Sequence, residues 1–392
     1  VRTVNKSYPK GSGLHHLWLV LHLLKKTGKI LLLSALVLVL ITYLYIQQDK
    51  FGKNPSGVRL ERIKRAPNYR DGKFQNSVVT PELTEGYSMS GVFYKQFIEG
   101  TPRRRPTDII PSVKTNLLAL PADSNILVWF GHSSYYLQID GKRILVDPVF
   151  SGNASPVPGT VKSFKGTDVY SVADLPEIDY LFISHDHYDH ADYETLIALR
   201  AKTKKVICGL GVGAHFEHWG YDPDVIMERN WHEKAELDKG FTAFVEPARH
   251  FSGRGFLRNK TLWASYVLQT PTMKIYIGGD SGYGPHYAAI GKKYGPLDVA
   301  ILDNGQYDDA WRYIHNHPAE VLKATRDLRA KRLFPVHSSK FMLANHAWDE
   351  PLVSITKLNR AYNFPLITPV IGEPVNLSDP KQKFKQWWVG LR

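Results

Sequence analysis

The amino-acid sequence predicts an α/β domain of four layers, helix, sheet, sheet, helix, carried behind an N-terminal membrane segment. Ten short β-rich runs fall in two groups between residues 125 and 337, and helical stretches separate them. Seventeen consecutive uncharged residues near the start supply the membrane segment. At 392 residues, with 43% hydrophobic and 22% charged side chains, the chain has the composition of an ordinary globular protein with a sizeable core.

Residues 1–29 form a basic N-terminal segment, and ILLLSALVLVLITYLYI (30–46) follows. Its length lies at the short end of the roughly 17–25 residues of a spanning helix. Lys25, Lys26 and Lys29 flank one end, and Tyr43 and Tyr45 sit near the other as an aromatic belt would. We read it as an uncleaved single-pass anchor. A cleaved signal is the alternative, but no small-x-small site occurs in the QQDKFGKNP that follows. Upstream, LHHLWLVLHLL (14–24) reads as an interfacial or partly inserted segment. Lys50, Lys53 and Arg59 balance the earlier lysines, so charge assigns no side of the membrane to the rest of the chain.

Residues 47–115 are a basic, turn-rich extension in which TPRRRPTDIIPS (101–112) reads as an extended linker that wraps or leads into the main domain. That domain spans 116–375, and 376–392 form a C-terminal tail. The net charge of +13 is unevenly placed. Residues 1–105 hold 18 Lys+Arg against 6 Asp+Glu, and the remainder 32 against 31. A nearly neutral main domain gives no electrostatic reason to expect nucleic acid as a partner. The Trp387-Trp388 pair, Trp311 and Trp348 accordingly read as core and rim rather than as base-stacking platforms.

Within the domain, NILVWFG (125–131), SYYLQID (134–140) and KRILVDP (142–148) open the β series, the last two joined by the hairpin signal Asp140-Gly141. EIDYLFIS (177–184), KKVIC (204–208) and FTAFVEPA (241–248) continue it. LWASYVLQT (262–270), MKIYIGGD (273–280), DVAILD (298–303) and RLFPVH (332–337) complete it. Helices are expected near 192–202, 213–220, 285–294 and 317–331, the last opened by His317-Pro318 with proline in the first turn. Only Cys208 is present, so neither an intrachain disulfide nor a thiolate-rich metal site can form. In its apolar run it reads as a small buried hydrophobe.

The loop after the fourth run is HDHYDH, three histidines and two aspartates in six positions (185–190). His185 and His187 project to one side of an extended segment, and Asp189 and His190 follow where the chain turns into a helix. Imidazole and carboxylate are the ligands a zinc site takes in the absence of thiolate. Two metals need more than four ligands, and three further strand ends offer them: His250 in VEPARHF, Asp280 in IYIGGD and His337 in LFPVH. Strand ends are where α/β folds gather reactive groups.

HDHYDH is the HxHxDH signature of the metallo-β-lactamase-fold hydrolases. WFGHSSYYLQIDGKRILVDPVFSGNASP, PARHFSGRG and GGDSGY resemble the branch that contains N-acylphosphatidylethanolamine-hydrolysing phospholipase D and its bacterial relatives, phosphate-sugar lactonases among them. The similarity runs over roughly 85–375, and DNGQYDDAWRYIHNHPAE (303–320) is closer to the bacterial members. The resemblance implies the four-layer αββα metallo-β-lactamase sandwich. It implies that His185, His187 and His250 bind one metal, that Asp189, His190 and His337 bind a second, and that Asp280 bridges them. Two Zn²⁺ are expected, with iron or manganese suiting the same ligand types.

Ions about 3.5–4 Å apart would share a hydroxide that attacks phosphorus or a carbonyl carbon. Asp189 or His315 is the candidate proton donor to the leaving group. Asp147 is expected behind a ligand imidazole; His132 does the same or closes a turn. The expected activity is phospholipase D-type cleavage of N-acylphosphatidylethanolamine-like lipids, with a membrane lipid or another small ester as substrate. The alternatives are a lactonase of a phosphorylated sugar, an RNA-processing nuclease and a catalytically idle membrane-bound metal scaffold. The near-neutral domain disfavours the nuclease, and the filling of all seven ligand positions disfavours the scaffold. The sequence carries no signal of oligomeric state.

GLGVGA (209–214) fits a dinucleotide-binding fingerprint, but its candidate helix breaks at Gly220-Tyr221-Asp222-Pro223, so we read a tightly packed turn. His215 and His218 on that helix show no carboxylate partner in the sequence and read as structural or rim residues.

Overall fold

In the computed structural model, which describes residues 9–392, the chain divides into two compact units, one reaching to Phe51 and the other spanning Gly52–Arg392. The first is built on helix α1 (Gly13–Ile46), 34 residues long, with the Ser12 hydroxyl accepting a hydrogen bond from the His15 amide. By length and composition α1 is apolar enough to cross a membrane. Its length of about 51 Å exceeds the roughly 30 Å of a bilayer core. One helix runs through both the 14–24 stretch and the 30–46 run. Nothing between them stops a helix: lysines are good helix formers, and Gly28 alone costs about 1 kcal/mol.

The second unit opens with α2 (Gly57–Lys64), a hairpin of β1 (Tyr69–Arg70) and β2 (Lys73–Phe74), and α3 (Met89–Tyr94), which continues as a wider helical turn over Lys95–Glu99. The sequence reading had only turns and linker here. These elements are too short to show a period, and α2 buries a single side chain, Ile63. The 101–112 stretch wraps the domain: the Ile110 amide donates to Lys165 O, and Ser112 pairs with Ile371.

The layers then follow in chain order. They are β3 (Ile126–Trp129), β4 (Tyr135–Ile139), β5 (Lys142–Val146), β6 (Ile178–Ile183), α4 (Tyr193–Leu199), β7 (Thr203–Gly209), α5 (Gly213–His218), β8 (Ile226–Arg229), β9 (Lys234–Glu236) and β10 (Thr242–Glu246). After these come β11 (Ser265–Gln269), β12 (Lys274–Ile277), α6 (His286–Tyr294), β13 (Val299–Asp303), α7 (Pro318–Asp327), β14 (Leu333–Val336), α8 (Glu350–Leu358) and β15 (Pro374–Asn376). One sheet has the order β15-β3-β4-β5-β6-β7-β8, the other β14-β13-β12-β11-β10-β9. Strands β5 to β8 are parallel, as are β12 to β14. The expected Asp140-Gly141 hairpin joins β4 to β5, with both residues at positive φ (48° and 77°) as a tight primed turn requires.

Alternation along the strands makes the four layers. In β6, Tyr180 and Phe182 face the second sheet, whereas Leu181 and Ile183 face the helices. Residues such as Trp129, Leu137, Val146, Ile277, Ile301 and Phe334 fill the space between the sheets. The outer face of the first sheet packs against Leu196, Leu199 and Phe216 of α4 and α5, and Cys208 is buried there. The outer face of the second packs against Tyr287, Val321, Leu322 and Ile355 of α6 to α8. Both sheets therefore end their parallel strands at one edge of the sandwich, where loops carrying polar groups can meet.

Candidate metal centre

Strand β6 delivers its chain straight into Ser184-His185, and the loop that follows is pinned from several sides. Asp186 accepts hydrogen bonds from the Gly253 amide (2.7 Å), the Thr261 hydroxyl (2.7 Å) and His215 Nε2 (3.1 Å). Arg254, buried against Tyr188 and Trp219, donates to Asp186 O (2.8 Å) and Ala191 O (2.7 Å). His215 Nδ1 accepts the Lys53 amide (2.9 Å), which fixes the proton on Nε2 and makes His215 a neutral prop under the loop. The sequence reading found no carboxylate for His215, and Asp186 is that partner. His218, on the same helix, stays outside the cluster.

The seven candidate ligands converge. His185, His187 and His250 form one group, with His187 Nδ1 lying 2.8 Å from His185 Nε2 and 3.3 Å from His250 Nε2. Asp189, His190 and His337 gather in a second, which His132 also joins. Asp280 lies between them: its Oδ2 is 3.2 Å from His190 Nε2, 3.8 Å from His185 Nε2 and 3.7 Å from His250 Nε2, and its Oδ1 is 3.1 Å from His337 Nδ1. His185, His190, His250 and His337 are almost wholly buried.

Two features fit this set to metal ions. His190 Nε2 and Asp280 Oδ1 are buried without a hydrogen-bond partner, an arrangement that costs free energy unless something else satisfies them. Burial, with the crowding of neighbouring imidazoles, holds His185, His250 and His337 well below the ordinary histidine range, so these rings are neutral as ligation requires. Burial also pushes the Asp280 carboxyl up to about 6, a position that a cation alongside would relieve.

A second set of side chains orients the first. Asp147, at the end of β5, accepts from His190 Nδ1 (2.8 Å), the Ser184 amide (2.8 Å) and the Ser184 hydroxyl (2.6 Å). His132 meets a carboxylate rather than an imidazole, and it sits in a turn. Its Nε2 lies 2.8 Å from Asp189 Oδ2, and its backbone sits at positive φ in a turn paired to Ser338 O and the His337 amide. Ser133 Oγ meets His337 Nδ1 at 2.9 Å, and His250 Nδ1 donates to Ile314 O at 2.9 Å. His315 is brought in as well, stacked on His337 with ring centroids 5.1 Å apart and grouped with His250 and Asp280.

Behind His315 stands Asp303, which the sequence reading passed over. It lies 3.3 Å from His315 Nδ1 and accepts from Asn316 Nδ2 (2.7 Å), and burial pushes its carboxyl up to about 8. The signal was available, since Asp303 ends an apolar strand just as Asp280 does. Asp186, Ser133 and Arg254 had no such mark. The glycine turn at 209–214 packs as expected: Gly209 leaves no room for a Cβ beside Leu262 O, and Glu228 occupies the Gly211 and Gly213 amides (2.7 and 3.0 Å) that a cofactor phosphate would need. Trp348 and Trp388 are buried, and Trp311 lines the cleft over the cluster.

Comparison with known proteins agrees with this geometry. Residues 142–338 match the Beta-lactamase superfamily domain. An uncharacterized protein of Mycobacterium tuberculosis is 36% identical over 329 residues, covering 83% of this chain and 88% of that one. The mitochondrial N-acyl-phosphatidylethanolamine-hydrolyzing phospholipase D of Saccharomyces cerevisiae is 32% identical over 234 residues, 57% of this chain and 49% of that protein. The metallo hydrolase Igni18 of Ignicoccus hospitalis superposes with a TM-score of 0.51 at 23% identity, over 64% of this chain and 98% of its own. With two sheets between helical layers and this cluster at their shared edge, the chain belongs to the metallo-β-lactamase-fold hydrolases of the β-lactamase superfamily.

Proposed function

We propose that the chain is a phospholipase D-type phosphodiesterase acting on N-acylphosphatidylethanolamine-like membrane lipids. The observation that carries this reading is the cleft above the cluster, about 280 Å³ in volume. Its floor includes His187, Asp189, His250, Asp280 and His337, and its walls include Leu83, Met89, Val92, Phe251, Trp311 and Leu343. Such a cleft takes an apolar chain along its walls while holding a polar scissile group at the base. A phosphorylated sugar, hydrophilic throughout, would leave those walls facing a poorly matched surface. The yeast relative named above supports the lipid assignment.

His185, His187 and His250 would hold one metal ion, Asp189, His190 and His337 the other, with Asp280 between them. Zinc suits this donor set, and so do iron and manganese. When bound, the pair would supply an acidified water and a counter-charge for the developing oxyanion. Asp147 holds the His190 ring in place, and His132 holds the Asp189 carboxylate. His315 lines the cleft and is backed by Asp303, so it is the better placed donor of a proton to the departing alkoxide; Asp189 is already engaged by His132. Helix α1 would serve as an uncleaved anchor that keeps the enzyme at its substrate.

The test is incubation of the metal-loaded full chain with N-acylphosphatidylethanolamine, phosphatidylethanolamine and a simple lactone, followed by product mass analysis. Phosphatidic acid and a free N-acylethanolamine are expected. Turnover of the lactone alone would replace this reading with a lactonase, and a metal-loaded chain inert to every ester would point to a scaffold.

A further inference from the structure

His250 stands in a stretch of chain that no strand supports. Strand β10 ends at Glu246, four residues before it, whereas His185 and His337 stand two and one beyond the ends of β6 and β14. The residue is 1% exposed, yet among the described residues no main-chain group meets its N–H or its C=O. Buried main-chain polar groups left unpaired cost free energy, so a side chain has to meet them. Asn76 meets both. Its Oδ1 accepts the His250 amide (3.1 Å), and its Nδ2 donates to His250 O (2.8 Å). The same Oδ1 accepts from Trp263 Nε1 (3.1 Å), an indole buried between the sheets that also donates to Ala248 O (3.0 Å). A carboxamide carries an acceptor and a donor side by side, so laid along the chain it does the work of a strand one residue long.

Asn76 belongs to the extension ahead of the sandwich, 174 positions before His250 and outside the 142–338 match to the superfamily domain. Its own segment is held on both sides. Before it, the Phe74 amide donates to Asn259 O (2.8 Å), and the Phe74 ring is fully buried in the core between the sheets. After it, Arg249, the residue preceding His250, donates through Nε to Thr80 Oγ1 (2.9 Å) and through Nη2 to Val79 O (3.0 Å). The carboxamide is therefore a fixed point rather than a group that follows the loop. The bond from Nδ1 to Ile314 O turns the His250 ring, whereas the Asn76 bonds place its main chain.

We propose that Asn76 is a positioning residue of the metal centre: its carboxamide clamps the His250 main chain and so sets where His250 Nε2 meets an ion, from a segment outside the four layers. The extension is then a working part of the site and not only a wrapping. The proposal deepens the function proposed above and rests on its two-ion assignment. Groups behind a ligand govern affinity, because an ion tolerates little displacement of its donors.

Cobalt(II) takes the same ligand types as zinc and reports its site by visible absorbance. The full chain, kept in detergent, is stripped with a chelator and titrated with Co²⁺, and about two ions per chain are expected. The step that His250→Ala removes and His337→Ala keeps marks the ion held by His185, His187 and His250. Asn76→Ala should weaken that step about 10–100-fold and leave the other within about threefold. Asn76→Asp keeps the volume and the acceptor but loses the donor to His250 O, so it should fall between wild type and Asn76→Ala. It also carries the test if Asn76→Ala does not fold. Glu228→Ala frees the extension elsewhere, at Arg59, and should lose stability while keeping both steps, which separates a displaced ligand from general loosening. The proposal is overturned if Asn76→Ala leaves the marked step unchanged or weakens both steps alike, or if Asn76→Asp matches wild type, since bulk alone would then suffice. Any of these results, in a chain whose wild type takes up Co²⁺, refutes this proposal alone. A wild-type chain that takes up none refutes the two-ion assignment itself.

Discussion

Asp147 meets the cluster at His190 and His315 meets it beside His250 and Asp280, and they should fail differently. Asp147 gathers His190 and Ser184 through three short hydrogen bonds, so Asp147→Asn keeps the volume and loses the charge that holds the His190 ring. Metal affinity is expected to fall roughly 10–100-fold, read by competition with a chromophoric chelator. An unchanged affinity would remove Asp147 from the site. His315 is expected to act on the leaving group: His315→Gln should retain its metal content while kcat falls about 10²–10⁴-fold. Loss of metal in His315→Gln would instead make it a ligand. The sequence showed most of this cluster because histidines and aspartates at strand ends interrupt apolar runs. It could not show Asp186 or Ser133, whose roles depend on partners more than sixty positions away, Thr261, Gly253 and His337.

At the scale of elements, ten strands were legible because each combines an apolar run with a turn signal, and the sheets bury both faces of most of them. Strands β1, β2, β8, β9 and β15 and helices α2, α3 and α8 were not. The edge strands β9 (KAE) and β15 (PVN) bury one side chain each, and two residues flanking one cannot establish a period of two. Edge strand β8 is held from outside its own sequence, by Glu228. That carboxylate accepts from the Gly211 and Gly213 amides and from Arg59 Nε (2.7 Å) on α2, tying together a turn, an edge strand and the extension ahead of the domain. Glu228→Ala would strand two buried amides and release the partly exposed Arg59. We expect a loss of about 2–3 kcal/mol in denaturant unfolding, with metal content unchanged, and a loss under 0.5 kcal/mol would show that water replaces the carboxylate freely.

The whole molecule explains why the cluster matters to more than chemistry. His185, His187, Asp189 and His190 come from the loop after β6 in one sheet, whereas His250, Asp280 and His337 follow β10, β12 and β14 in the other. Ions held by both sets would clamp the sheets at the edge where the domain core ends. Without them, the crowded neutral imidazoles and the buried Asp280 carboxyl leave polar groups unsatisfied on both sides of that seam. A ligand present at about a thousand times its dissociation constant stabilises the folded state by about 4 kcal/mol. For a unit of this length the same free energy corresponds to a midpoint shift of about 6 °C. Chelator treatment of the metal-loaded chain should therefore lower its melting temperature by about that amount, and added zinc should restore it. The control is Asp280→Ala, which lacks the group lying between the two sets: its melting temperature should already be low and should respond to neither reagent. A wild-type chain that melts at the same temperature with and without chelator would mean that the two sheets are held at this edge by their own contacts, and that the seven converging side chains do not grip metal at all.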